Sequence, residues 1–337
     1  PVHLLDGILD EVYAQGQEIT GNRHLRKTFA LNALVGLDNA AWLLYAEKHG
    51  IKNFDNLIPC AYKLALSHHH AQVASIPLMA YSVPIEEIKA AVDQGYFFMK
   101  IKIGQPGTQT QMLAKDKARL TAIHQAIGQV RTKYTQDGKL PYYFDANGRY
   151  QKKETLLRLL DHAEKIGALE QIAVIEEPFP EEAQIKVGDM GVRIAADESA
   201  HTDKDALERI DMGYQAIALK AIAKTMSMTM KIAQTAHEHG VPCFCADLTV
   251  NPILVEWNKA VAARLAPFPD LGLGLLETNG HQNYKNWGTM TSYHPYSDAS
   301  WTQTVDGVFN LNQDYYDKSG GLLAPSAHYE EMFSRHH

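Results

Sequence analysis

At 337 residues the chain is longer than one compact core usually supports, unless the fold is an α/β barrel with an appendage. Its 45% hydrophobic and 21% charged residues are ordinary for a globular protein, and a net charge of −7 lacks the basic excess of a nucleic-acid binder. Three cysteines (Cys60, Cys243, Cys245) make no disulfide framework, no apolar run approaches membrane-spanning length, and no signal-peptide pattern opens the chain, so a cytoplasmic protein without nucleic-acid or membrane partners is expected.

Residues 1–60 read as helical throughout, first in LLDGILDEVYAQ and then in HLRKTFALNALVGLDNAAWLLYAEKHG. The run Ser67-His68-His69-His70 is expected on a loop or helix face, because consecutive histidines cannot all point at one metal. From Ser75 onward short apolar runs alternate with amphipathic stretches. The predicted strands are 76–82, 97–104, 141–147, 173–178, 192–198, 216–221, 242–248 and 272–278. The stretches between them include PIEEIKAAVDQG, KETLLRLLDHAEKIG, DALERIDMG and MSMTMKIAQTAHEHG, several ending in glycine as helices often do. The longest interruption, 105–140, predicts an extended helix over QTQMLAKDKARLTAIHQAIGQVR and a turn at Gln136-Asp137-Gly138. Eight strands separated by helices predict an α/β fold of TIM type. The expected organisation is a helical domain at 1–74, a catalytic barrel at 75–299, and a segment at 300–337 that returns to pack on the first domain. The closing His336-His337 is read as a tag remnant.

Charged residues sit at the ends of successive strands. Lys100 and Lys102 lie in FFMKIKIG, Asp145 and Asn147 in YYFDANG, Glu176 and Glu177 in AVIEEP, Asp197 and Glu198 in VRIAADES, and Lys220 in AIALKAIAK. In a parallel barrel these strand ends share one face, where active sites form. One acidic residue after a strand can simply cap the next helix. Three on consecutive strands repel each other unless a cation lies between them. Asp145, Glu176 and Asp197 therefore predict a hard divalent ion, Mg²⁺ first and Mn²⁺ second, and the absence of histidine or cysteine beside them disfavours zinc. The period-2 spacing of Lys100 and Lys102 turns both inward, and Lys102 and Lys220 come from strands on nearly opposite sides. That placement suits moving a proton off one face of a carbon and onto the other.

These motifs resemble the enolase superfamily, in the family of mandelate racemase and muconate lactonising enzyme. LNALVGLDNAAWLLYAEKHG is similar to the helix of its capping domain, FMKIKIG to its K-x-K strand, and FDANGRY, IEEP and ADES to its three metal-ligand strands. The resemblance implies a modified TIM-type (β/α)7β barrel with an α+β capping domain. Only Pro1-Val2-His3 precede the helices here, so only the helical part of that domain is expected. It also implies Mg²⁺ ligands Asp145, Glu176 and Asp197 with Glu198 in support, Lys102 as acid/base, and Lys100 near the carboxylate of a small substrate. Lys220 resembles the second catalytic lysine of the lactonising-enzyme and dipeptide-epimerase members, although Lys224 follows one residue later than usual and no glycine pair comes after it. Asp247 and Glu277 are expected to line the rest of the mouth, and Glu277-Thr278-Asn279 departs from the Asp-x-Asp that holds the amino group in dipeptide epimerases.

The chemistry expected from the resemblance is proton abstraction next to a carboxylate through an enediolate, giving a racemase or epimerase that assembles as a homo-oligomer. A dehydratase or cycloisomerase acting on an acid sugar or related carboxylate is the alternative outcome. A barrel that binds without catalysis is the third.

Overall fold

Pro77 breaks the first barrel strand in two, and the break shows how the sheet closes. In the computed structural model, which describes residues 1–335, β1 (Gln72–Ile76) pairs in parallel with β9 (Gly274–Glu277). Just beyond Pro77, β2 (Leu78–Met79) pairs in parallel with β3 (Lys100–Lys102). Proline has no N–H for a ladder, but the Pro77 carbonyl still accepts from Lys100 N at 3.0 Å. The strand expected at 76–82 thus begins at Gln72 and ends at Met79. His336-His337, read as a tag remnant, lie outside the described residues.

Between β3 and β9 run β4 (Tyr142–Asp145), β5 (Ile172–Glu176), β6 (Ile194–Ala196), β7 (Ala216–Leu219) and β8 (Cys243–Cys245), in chain order and all parallel. With β1 and β2 counted as one interrupted strand, eight strands surround the core. They are buried on both faces, as in Val73, Ala74, Phe144, Ile175, Ala195 and Ile217, because helices cover their outer side.

Those helices are α4 (Ile85–Asp93), α5 (Gln109–Ile127), α6 (Lys153–Lys165), α7 (Asp203–Asp211), α8 (Met226–Glu238) and α9 (Pro252–Ala262). Capping boxes start two of them, Thr108 with Gln111 and Thr202 with Asp205. The connection from β5 to β6 has no helix, and its Pro178, Pro180, Gly188 and Gly191 explain why.

The amino-terminal part is helical as expected: α1 (Leu9–Thr20), α2 (Lys27–His49) and α3 (Phe54–Leu57). Left-handed glycines end the first two, Gly21 and Gly50, each with φ 63°. Contrary to expectation, α2 is long and apolar enough to cross a membrane by length and composition alone. It instead packs buried residues such as Leu31, Leu34 and Trp42 into the core and adds polar contacts to the barrel. Asp38 accepts from Ser227 N at 3.0 Å and from Ser227 Oγ at 2.5 Å, and Trp42 Nε1 donates to Ser227 Oγ at 3.0 Å, with Asp38 and Trp42 both fully buried.

The last segment carries two further strands. β10 (Thr304–Val305) and β11 (Val308–Asn310) form a hairpin about Asp306 and Gly307, both at positive φ, and β11 adds antiparallel to β1. Its tie to the helical part is Phe54 N, which donates to Ser319 Oγ at 2.8 Å. In the histidine run, His68 and His69 are exposed, while His70 is buried with Nε2 donating to Leu265 O at 2.9 Å.

Candidate active site

Strand register sets the layers of the barrel mouth. Lys102 on β3 is the partner of Asp145 on β4, which is the partner of Glu176 at the end of β5. One layer deeper, Lys100 is the partner of Tyr143. Asp197 and Glu198 follow β6, Lys220 follows β7, Asp247 comes two residues after β8, and Glu277 ends β9. The expected residues thus gather at one end of the barrel.

Each carboxylate there is already engaged. Lys102 Nζ donates to Asp145 Oδ2 at 2.5 Å and to Asn147 Oδ1 at 2.6 Å, while Asn147 Nδ2 donates to Glu198 Oε1 at 3.0 Å. Lys220 Nζ donates to Asp197 Oδ2. Lys100 is 3% exposed and lies 3.0 Å from Asp145 Oδ2, 2.9 Å from Glu176 Oε1 and 3.1 Å from Glu277 Oε2. Its ammonium is therefore seated under the mouth among three carboxylates.

Glu176, Asp197 and Glu198 each bring a carboxylate oxygen within 4.8 Å of the others, whereas Asp145 is turned to Lys100 and Lys102. Asp197 Oδ1 and Glu198 Oε2 are buried without a hydrogen bond, although Asp197 Oδ1 lies 3.2 Å from Lys224 Nζ. Anionic oxygens without a hydrogen bond in a group of hard donors suit a hard divalent cation, and among the described residues no thiol or imidazole joins the group.

The electrostatics follow from this crowding. Burial pushes the Glu176 carboxyl well above its ordinary range, and the Asp145 charge adds to the push. Burial also acts on Asp145, but Lys100 and Lys102 outweigh it and bring that group down. Asp197 falls well below the ordinary range because Lys220 and Lys224 overcome its burial. Burial and Asp197 raise Glu198. Burial alone would lower Lys220, yet Asp197 and Glu198 carry it upward, and Asp145, Glu176 and Glu277 do the same for Lys100.

Asp247 and Glu277 reach the mouth but are bound to its rim. Asp247 Oδ2 accepts from Asn279 N at 2.7 Å, and Glu277 Oε2 accepts from Asp247 N at 3.0 Å as well as from Lys100. Burial and then Glu277 push the Asp247 carboxyl up to about 6.

Sequence reasoning missed Tyr143, and it named Glu177 and Lys224 without giving either a use. Tyr143 donates its hydroxyl to Glu176 Oε2, and its position two residues before Asp145 was the available signal. Glu177 and Lys224 are each 1% exposed and bind the loop that carries Asp197. Glu177 ends the apolar run AVIEEP, but its hold on the next loop follows from a backbone that leaves the strand at φ 40°, which the pattern does not show.

The family model described as "Enolase C-terminal domain-like" matches residues 84–274, more than half of the chain. An o-succinylbenzoate synthase of Bacillus subtilis is 24% identical over 238 residues, which are 68% of this chain and 56% of that protein. A mandelate racemase/muconate lactonizing enzyme from a marine actinobacterium, solved in complex with magnesium, has a TM-score of 0.65 at 16% identity, covering 99% of this chain and 82% of that one. The L-Ala-D/L-Glu epimerase of B. subtilis has a TM-score of 0.59 at 19% identity, covering 85% and 70%. An N-succinyl Arg/Lys racemase of Bacillus cereus has a TM-score of 0.53 at 16% identity, covering 66% and 57%. The matched region thus spans less than two thirds of the synthase and of the succinyl amino acid racemase.

Proposed function

The chain belongs to the enolase superfamily, in the mandelate racemase/muconate lactonising enzyme family, and from that premise we propose that it is an Mg²⁺-dependent racemase or epimerase of a small carboxylic acid. The observation that carries the reading is the placement of Lys102 and Lys220. They belong to the second and sixth of eight strand positions, four steps apart and so across the mouth from each other, and each rests on a carboxylate of the cluster.

Glu176 and Asp197 are the proposed ligands common to the resemblance and to the closest carboxylate group, with Asp145 or Glu198 completing the set. The bound ion would supply positive charge to the substrate carboxylate, which makes its α-proton more acidic. The chain's own residues do the rest. One lysine, neutral, takes the α-proton from one face of the carbon, leaving an enediolate. The other, protonated, returns a proton to the opposite face, and the charge states of the two lysines exchange. The configuration of the substrate decides which lysine begins as the base. The reverse reaction interchanges the roles. Lys100 lies among Asp145, Glu176 and Glu277 and offsets part of their mutual repulsion.

A lyase outcome, in which the enediolate expels a β-leaving group, has one observation in its favour, the 24% identity to a protein named o-succinylbenzoate synthase. Incubation with Mg²⁺ and a panel of carboxylic acids in D₂O separates the readings by NMR. A racemase places deuterium on the α-carbon and forms both configurations, whereas a lyase yields a product that has lost water or opened a ring. Failure to exchange an α-proton in any carboxylate of the panel would count against both.

A further inference from the structure

The main chain of Asp197 is held from two sides by buried side chains that the proposed proton transfer leaves unused. On its N–H side, Glu177 Oε2 accepts from Asp197 N at 2.7 Å, Ser199 N at 3.2 Å and Ser199 Oγ at 3.0 Å. On its carbonyl side, Lys224 Nζ donates to Asp197 O at 2.7 Å and Ala200 O at 3.0 Å. The same ammonium lies 3.2 Å from Asp197 Oδ1. Lys224 N also donates to Lys220 O at 2.7 Å, so the turn that presents Lys220 and the loop that presents Asp197 and Glu198 are joined through one residue.

The loop needs such holding. Asp197 and Glu198 repel each other, and the next residues, Ser199 and Ala200, have short side chains with little apolar reach. Three short segments, after β5, β6 and β7, meet at the buried side chains of Glu177 and Lys224.

We propose that Glu177 and Lys224 are positioning residues that fix residues 197–200 in the cation-binding arrangement, with Lys224 also setting Lys220 against Asp197. The inference rests on the reading of Glu176, Asp197 and Glu198 as cation ligands. It assigns a use to the lysine that follows Lys220 at an unusual spacing.

The positive charge of Lys224, beside a site read as binding a cation, makes the idea testable. If Lys224 acted only through its field, Lys224→Met would tighten cation binding. If the two residues act by positioning, Lys224→Met and Glu177→Leu both weaken it. Glu177→Gln, whose amide oxygen can still accept all three hydrogen bonds, stays close to wild type.

The experiment is Mg²⁺ titration by calorimetry on the whole chain, with thermal melts of the metal-free variants alongside. The expected loss is about 10- to 100-fold in affinity for Lys224→Met and Glu177→Leu, the range found when a partner of a metal ligand is removed. Affinity unchanged or tighter in Lys224→Met would overturn the proposal, as would Glu177→Gln weakening as much as Glu177→Leu. Lower melting temperatures with wild-type Mg²⁺ affinity would show a merely structural role and overturn it too. Should the two drastic variants not fold, Ser199→Ala decides together with Glu177→Gln. Weaker binding in Ser199→Ala with none in Glu177→Gln supports positioning, and any other pattern contradicts it. Wild-type protein that binds no Mg²⁺ would remove the cation-site reading itself and this inference with it.

Discussion

Asp145 and Glu176 are register partners on adjacent strands, both fully buried, yet their carboxyls are driven in opposite directions. Lys100 and Lys102 bring Asp145 down, while burial and the Asp145 charge push Glu176 up. A cation beside Glu176 would relieve the second effect.

Metal dependence follows. EDTA should abolish activity and Mg²⁺ should restore it, because the donor group is all carboxylate. Asp197→Asn removes a full charge from that group and should weaken Mg²⁺ binding about 10-fold or more in calorimetry. Asp145→Asn and Glu198→Gln, measured together, identify the third ligand by the larger loss. Unchanged affinity in Asp197→Asn would refute its assignment.

Tyr143→Phe should destabilise the metal-free protein without altering its shape. The hydroxyl donates to Glu176 Oε2 in a fully buried place, and its loss leaves that oxygen without a partner. The expected cost is about 1–3 kcal/mol in denaturant unfolding. A variant as stable as wild type would mean that Glu176 finds another donor there.

The barrel and its ring of charged strand ends were legible because parallel strands end in one plane, so residues such as Asp145 and Glu176 can be counted from apolar runs alone. The break at Pro77 was not, since a proline inside an apolar run leaves the pattern intact while dividing the pairing between β9 and β3. Nor was the seat of Lys100. Its period-2 relation to Lys102 places both inward, but only the register shows that Lys100 lies a layer deeper, beside Tyr143. The hairpin of 304–310 escaped notice because its strands of two and three residues are too short to show alternation.

Asp247 gives a pH-dependent signature. Burial raises its carboxyl from 3.8 to about 6, so the folded protein holds that proton more tightly than the unfolded chain. Its favourable contribution is complete below the unfolded value and is lost as pH rises through about 6. Metal-free wild type should therefore lose on the order of 2–3 kcal/mol relative to Asp247→Asn between pH 4 and pH 7. Chemical denaturation across that range checks it, and parallel curves for the two proteins would contradict it.

Docking of α2 includes a buried polar junction at Asp38. Asp38→Ala strands Ser227 N and leaves a small void in a fully buried place, at a cost of about 1–3 kcal/mol. Hydrogen exchange should quicken first in α2 and in the opening turn of α8. Uniform quickening across the barrel would instead mean that the helices and barrel unfold as one unit.

The central claim is that Lys102 and Lys220 serve opposite faces of one α-carbon, and stereospecific exchange tests it most directly. For any carboxylate acid that the wild type racemises, Lys102→Ala and Lys220→Ala should each retain α-proton exchange with D₂O for one configuration only, and not the same one. Net racemisation should fall by about 10²-fold or more in both, the scale expected when a positioned acid or base is lost. Loss of exchange from both configurations in one variant, with full exchange in the other, would show a single base and contradict the account.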